Sequence, residues 1–220
     1  MQNVNEKYMR SALRLAKKAE EMDEVPVGAV IVHDGKIIGR GYNRRQTKQN
    51  SLEHAELMAI AQACRKLGSW RLEDCDLYVT LEPCPMCAGA IIQSRVRTVY
   101  FGAYDAKGGA VGSVTNLFEL PQWNHHPAFE GGILQAECSR ILKDFFKAKR
   151  EKKKLEKKLR QQEDVQGEDC CNHSSLTATP PSLNDSPASS QASLNIPQTS
   201  SSTERSSYPA DENTQKGDVH

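Results

Sequence analysis

Side chains of the kinds that bind metal ions lie at two places in the 220-residue chain. One is His54, and the other is the segment Pro83-Cys84-Pro85-Met86-Cys87 with its two cysteines. If a helix begins at the second segment, Cys84 and Cys87 share a face, at the end where the helix dipole favours thiolates. A thiolate pair with an imidazole is a typical zinc donor set. Three protein ligands with water as the fourth are typical of catalytic zinc, which lowers the pKa of that water to about 7.

A carboxylate lies next to this donor set in the sequence, because Glu56 follows His54 by two positions. Glu56 can approach the water without binding the metal. It can then accept the protons of the water in turn and deliver one to a ring nitrogen and the other to a departing amine. These steps are hydrolytic deamination, and the His-x-Glu and Pro-Cys-x-x-Cys pattern resembles that of the zinc-dependent nucleobase deaminases.

Cysteine pairs also have other roles that the spacing alone leaves open. A Cys-x-x-Cys segment occurs in structural zinc half-sites and in redox pairs, but the His54-Ala55-Glu56 motif favours catalysis here. The odd count of seven cysteines argues against a disulfide framework. We interpret Cys64, Cys75 and Cys138, which lie in periodic apolar segments, as core thiols.

Strands alternate with helices along the first two thirds of the chain, which predicts an α/β sheet covered by helices on both faces. An Asp-Gly pair between two apolar runs predicts a hairpin that makes this sheet mixed, with one antiparallel strand. The predicted elements are a helix over 5–22, strands at Val27–Val32 and Lys36–Gly39, a helix over 53–67, a strand at Cys75–Thr80, a helix over 85–94, a strand at Arg97–Gly102, mostly loop over 103–132 with one short helix near Leu117, and a long helix from Ile133 to about Arg160.

The composition changes near residue 161, where Ser, Thr, Pro, Asn and Gln become frequent and periodicity ends. Such a segment buries too little apolar surface to offset the entropy of ordering, so we predict a deaminase domain over 1–160 and a disordered tail over 161–220. Residues 143–160 hold ten Lys/Arg and three Asp/Glu, whereas residues 161–220 hold two and nine. The basic helix is either a solvated helix end or a contact for nucleic-acid phosphates.

The sequence shows no secretion signal and no apolar run of the roughly 20 residues that a membrane helix needs. We therefore expect a soluble protein of the cytoplasm that does not contact membranes.

Several longer stretches closely resemble the bacterial tRNA-specific adenosine deaminases, of the cytidine-deaminase superfamily. They are Glu24–Val30, Gly41-Tyr42-Asn43, His54-Ala55-Glu56, Thr80–Ala90 and Phe101–Ala110. The likeness covers roughly residues 5–150, and the last stretch is more specific to the tRNA enzymes than the zinc motif. It implies a three-layer α/β/α fold with a mixed five-stranded sheet and a homodimer with one Zn²⁺ per subunit. The implied reaction converts the wobble adenosine of a tRNA anticodon stem-loop to inosine.

The resemblance also implies roles for particular side chains. His54, Cys84 and Cys87 would bind zinc and Glu56 would carry protons. Asn43 would hydrogen-bond the flipped nucleoside, the backbone near Ala55 would read the base edge, and Asp105 would contact a neighbouring ribose. Further RNA contacts are predicted at Lys107, Phe146, Lys149 and Arg150. The His125-His126-Pro127 stretch departs from the family pattern, which leaves the flanking-nucleotide contacts open.

Two other functions share parts of this pattern. A deaminase of free guanine, cytosine or their nucleosides would use the same zinc set, but it would not need the basic terminal helix or the Asp105 segment. A catalytically inactive RNA-binding module would keep the zinc as a structural ion, and such modules typically lack the glutamate that Glu56 supplies here.

Overall fold

A computed structural model of the chain describes secondary structure for residues 4–168 and side chains for residues 4–161. The described residues lie within one unit that covers residues 1–173. The elements are α1 (Val4–Glu21), β1 (Gly28–His33), β2 (Lys36–Tyr42), α2 (Ala55–Leu67), β3 (Cys75–Leu81), α3 (Pro85–Gln93), β4 (Thr98–Ala103), a 3₁₀ turn (Leu117–Glu119), β5 (Ala128–Gly131) and α4 (Gln135–Glu168). Every helix and strand that the periodicity predicted is present, with bounds that differ by a few residues at most except at the end of α4.

The five strands form one mixed sheet in the order β2-β1-β3-β4-β5. β1 runs antiparallel to both of its neighbours, whereas β3, β4 and β5 are parallel, so the predicted single antiparallel strand is confirmed. The hairpin between β1 and β2 turns at Asp34 and Gly35, whose φ angles of 47° and 71° are those of the turn that Asp-Gly favours.

Alternating side chains of the central strands divide the core into two layers. Ile31 and Leu77 pack with residues of α2 and α3 on one face of the sheet. Val30 and Tyr78 point the other way and pack with Tyr8 of α1, and α4 joins α1 on this face. The arrangement is the expected three-layer α/β/α fold.

The fifth strand was not found by periodicity, because Ala128–Gly131 lies in the stretch predicted as mostly loop. It is four residues long, forms an edge of the sheet and has largely exposed side chains, so it carries no apolar alternation. The family resemblance alone anticipated a fifth strand.

The terminal helix also differs from its prediction. It begins at Gln135 and continues to Glu168, past the predicted end near Arg160 and past the predicted domain boundary at 160. Residues 161–166 contain glutamine and glutamate and no proline, so nothing stops the propagating helix there. The rest of the predicted tail lies outside the described residues. None of the helices within residues 4–168 combines the length and the apolar character that crossing a bilayer requires.

Two glycines of β2 allow the first turns of α2 to approach the sheet closely. A Cβ atom on Gly41 would lie 1.9 Å from the carbonyl oxygen of Ala55, and one on Gly39 would lie 2.2 Å from that of Ala59. Both distances are far shorter than any real contact, so only glycine fits. The backbone of β2 therefore sets the height of α2 above the sheet, and with it the position of His54 at the start of that helix.

We predict that Gly41→Ala destabilises the fold, because the added methyl group must push α2 away from β2. Overpacking of this kind costs typically about 1–3 kcal/mol. Urea unfolding of the metal-loaded protein measures the effect. Gly89→Ala is the matched control, since a Cβ there meets nothing within 4 Å and alanine favours helix by about 1 kcal/mol. Equal unfolding midpoints for the two variants would contradict the packing argument.

Candidate active site

The three predicted metal ligands come together where two helices begin. His54 is the N-cap of α2, Cys84 is the N-cap of α3, and Cys87 lies in the first turn of α3. The sulfurs of Cys84 and Cys87 are 3.7 and 3.5 Å from Nδ1 of His54. Neither N-cap side chain caps its helix, so both side chains turn towards the cluster. Within the part of the chain that the structure describes, this is the one group of three or more such donors close enough to share a metal ion.

The electrostatics of the cluster suit a cation. A hydrogen bond from Cys87, together with one from His54, lowers the pKa of Cys84 to about 4 despite burial. The pKa of Cys87 is raised, because its thiol donates to Cys84 and is itself buried. The hydrogen bond with Cys84 also raises the pKa of His54. The metal-free cluster thus holds protons where a metal would bind, and two sulfurs with one imidazole nitrogen match the preferences of zinc.

Glu56 lies in the first turn of α2 and is buried, with 4% of its surface exposed. Burial raises its pKa to about 7, and the negative charge of Cys84 adds to the rise. Its carboxylate is not part of the metal-capable group. A carboxyl group that changes protonation near neutral pH, beside the metal donors but outside them, is suited to proton transfer.

A cavity of about 200 Å³ opens above the cluster. Three of the seven substrate or RNA contacts that the family resemblance predicted, Asn43, Ala55 and Asp105, line it together with His54, Glu56 and Cys84. Pockets for whole small molecules are typically about 300–1,000 Å³, so this cavity has room for a single base and little more.

Four of the predicted RNA-contacting residues do not line this cavity. Lys107 is exposed on the loop that carries Asp105, and Phe146 and Arg150 are exposed on α4. Lys149 forms an ion pair of 2.5 Å with Asp23, at the loop that follows α1.

The two histidines that depart from the family pattern have structural partners. The ring of His125 hydrogen-bonds the carbonyl oxygen of Val96 at 2.7 Å, and the ring of His126 hydrogen-bonds that of Phe118 at 2.8 Å. Neither lines the cavity. Their contacts hold the loop before β5 against the 3₁₀ turn and the segment between α3 and β4.

Sequence reasoning missed two buried carboxylates in the wall of the cavity, Glu24 and Glu82. Oε1 of Glu24 accepts a hydrogen bond of 2.6 Å from the Thr47 N–H. Burial raises the pKa of Glu82, but hydrogen bonds from Ser113, Asp105 and Val111 hold it below its ordinary value. The one signal in the sequence was an acidic residue directly after the apolar strand β3.

Comparison with known proteins agrees with this geometry. The family model of the MafB19-like deaminases matches residues 3–150. The tRNA-specific adenosine deaminase of Bacillus subtilis is 52% identical over 154 residues, which cover 70% of this chain and 96% of the relative. The protein of the same name from Haemophilus influenzae is 47% identical over 156 residues, with 70% and 90% covered.

A solved structure from work on A-to-I editing by tRNA A34 deaminases superposes with a TM-score of 0.60. It is 47% identical in sequence, and the match covers 62% of this chain and 99% of that one. The chain therefore belongs to the deaminase family, in the group of the tRNA-specific adenosine deaminases.

Proposed function

We propose that the protein is a zinc-dependent deaminase that converts the wobble adenosine of a tRNA anticodon loop to inosine, with release of ammonia. The observation that carries the proposal is the buried Glu56, which lies beside a His-Cys-Cys donor set at the base of a cavity with room for one base. The identity to proteins named tRNA-specific adenosine deaminases supports tRNA as the substrate.

His54, Cys84 and Cys87 are the residues that would hold one Zn²⁺ per subunit. Zinc with three protein ligands supplies hydroxide from water at neutral pH. Glu56 would take up the first proton of the attacking water and pass it to the ring nitrogen next to C6. It would then take up the second proton of that water from the new hydroxyl group at C6 and deliver it to the departing amine, which leaves as ammonia. A carboxyl group with a pKa near 7 both accepts and donates protons at physiological pH, so one residue serves all of these transfers.

The small cavity requires that the adenine leave the base stack before it reacts. In this proposal Asn43, whose side chain is buried at the end of β2, hydrogen-bonds the extruded nucleoside. The backbone at Ala55 reads the edge of the base, and Asp105 contacts the ribose of a neighbouring nucleotide. All three line the cavity, which supports these assignments.

The remaining RNA contacts are proposed on exposed surfaces. Phe146 and Arg150 of α4 approach the stem, and Lys107 approaches the phosphates near the loop. Lys149 joins them by exchanging its exposed partner Asp23 for a phosphate, because a surface ion pair of this kind stabilises by only about 0–1 kcal/mol. A homodimer follows from the family resemblance. A cytoplasmic location is consistent with the five free thiols among residues 4–161.

The proposed function is tested by incubating the pure zinc-loaded protein with an anticodon stem-loop that has adenosine at the wobble position. We expect the mass gain of deamination at that nucleotide alone. Free guanine, cytosine and adenosine are offered in parallel at equal concentration. Turnover of a free base with no change in the stem-loop would identify a nucleobase deaminase and overturn the proposal.

The division of roles between Glu56 and the metal ligands predicts two different losses. Glu56→Gln should keep zinc near one per chain while kcat falls by about 10²–10⁴-fold, because a positioned proton carrier contributes that much. His54→Ala should lose zinc and activity together. Metal analysis and single-turnover rates on the same preparations separate the two. Loss of zinc in Glu56→Gln would show that this carboxylate holds the metal.

The protonation of the cluster predicts that zinc affinity depends on pH. Cys84 is already a thiolate at neutral pH, whereas Cys87 keeps its proton, so zinc binding must release that proton. Affinity should therefore rise about tenfold per pH unit between about pH 6 and pH 8, and more steeply where His54 is also protonated. Competition titrations of the metal-free protein with a chelator measure this slope. An affinity that does not change with pH would refute the assigned protonation states.

A further inference from the structure

The buried carboxylate of Glu82 follows directly after β3 and is surrounded by the loop of residues 105–113. We propose that Glu82 is a positioning residue, which fixes the backbone of Asp105 so that its side chain meets the ribose of the substrate. This inference rests on the role that the proposed function gives to Asp105.

Glu82 receives hydrogen bonds from both ends of the loop. Its Oε2 accepts from the N–H of Asp105 at 3.1 Å and from the hydroxyl of Ser113. Its Oε1 accepts from the N–H groups of Val111 and Ser113, each at 3.0 Å. One side chain thus accepts from four donors, and three of these are backbone groups that would otherwise be left without an acceptor.

The loop is shaped around this carboxylate. A Cβ atom on Gly109 would lie 2.3 Å from the carboxyl carbon of Glu82, so the loop approaches more closely than any other residue would permit. Additional backbone bonds support the same shape, from Ala110 to the carbonyl of Pro83 and from Gly109 to that of Asp105. Glu82 itself is fixed by a bond of its N–H to Ala103, at the end of β4.

Asp105 is therefore held on two sides. Its N–H is bound by Glu82, and its Oδ1 accepts a hydrogen bond of 3.0 Å from the N–H of Lys107. Because Glu82 and Asp105 both line the cavity, a shift of the loop moves Asp105 relative to the base and its neighbouring ribose. Glu82 has no need to touch the substrate to influence how RNA binds.

Glutamine cannot replace this carboxylate, although it has the same size and shape. All four partners donate, and glutamine offers one oxygen and one NH₂ group. If the amide oxygen takes the place of Oε1, it accepts from the N–H groups of Val111 and Ser113, and the NH₂ group then faces the N–H of Asp105. If the amide is flipped, the NH₂ group faces the N–H groups of Val111 and Ser113. At least one buried backbone donor then loses its acceptor, and the loop must move.

The experiment is a double-mutant cycle of Glu82→Gln and Asp105→Asn, measured on matched RNA and DNA stem-loops. The 2′-hydroxyl is what distinguishes these substrates, so the ratio of kcat/KM on RNA to that on DNA reports the ribose contact. We expect each single variant to lower this ratio by about five- to twentyfold, mainly through KM, with zinc content unchanged. The double variant should lie within about twofold of Asp105→Asn, because both changes remove one interaction.

A matched control is Glu130→Gln, which makes the same chemical change on the exposed edge strand β5 and should leave the ratio as in the wild type. An unchanged ratio in Glu82→Gln, or additive losses in the double variant, would overturn the positioning role. Failure of the wild type to deaminate the stem-loop would instead overturn the proposed function. Amide exchange of the holoenzyme gives a readout that needs no substrate: residues 105–113 should exchange faster in Glu82→Gln, and unchanged protection would overturn the inference.

Discussion

The structure depends on bringing two helix N-termini together above the sheet. α2 contributes His54 and α3 contributes Cys84 and Cys87, with their donor atoms within 4.8 Å of one another. This meeting is possible because β2 presents glycines to α2, so that the backbone of the helix contacts the backbone of the strand. The partial positive charge at a helix N-terminus favours thiolates, so the helix starts also help to keep the sulfurs in the form that binds metal.

The same arrangement explains why Glu56 can be buried. Glu56 lies two residues after the first ligand, in the first turn of α2, and its side chain is buried there, which raises its pKa to about 7. A buried acid with a raised pKa destabilises the fold at pH values where it is ionised. The fold tolerates this cost at Glu56, where a pKa near 7 suits proton transfer. Glu82, equally buried, has its pKa lowered instead, because several donors surround it. Two buried glutamates of one cavity therefore differ in chemistry through their hydrogen bonds.

Local sequence patterns were sufficient to predict the helices and strands whose apolar residues recur periodically. They were also sufficient to predict the site residues that form a short motif. The hairpin at Asp34-Gly35, the helices and four strands followed from such patterns. The strand β5 did not, because an exposed edge strand of four residues has no periodic signal. Glu82 was missed because its partners lie 23 to 31 positions away, and their bonds exist only in the folded chain. The pairing of Lys149 with Asp23, 126 positions apart, was equally beyond a reading of the sequence.

The terminal helix carries an excess of like charge that an anionic partner would neutralise. Residues 143–160 of α4 hold ten Lys/Arg and three Asp/Glu, and like charges four positions apart, as at Lys153 and Lys157 or Arg150 and Lys154, destabilise an exposed helix by about 0.2–0.5 kcal/mol per pair. A helix of 3.6 residues per turn places Lys143, Lys147, Arg150 and Lys154 on one side, opposite the buried Phe145. Phosphates bound along this side would relieve the repulsion that the free helix tolerates. If RNA binds along this side as proposed, its binding and the stability of α4 are coupled, since each neutralised pair favours the helix that presents it.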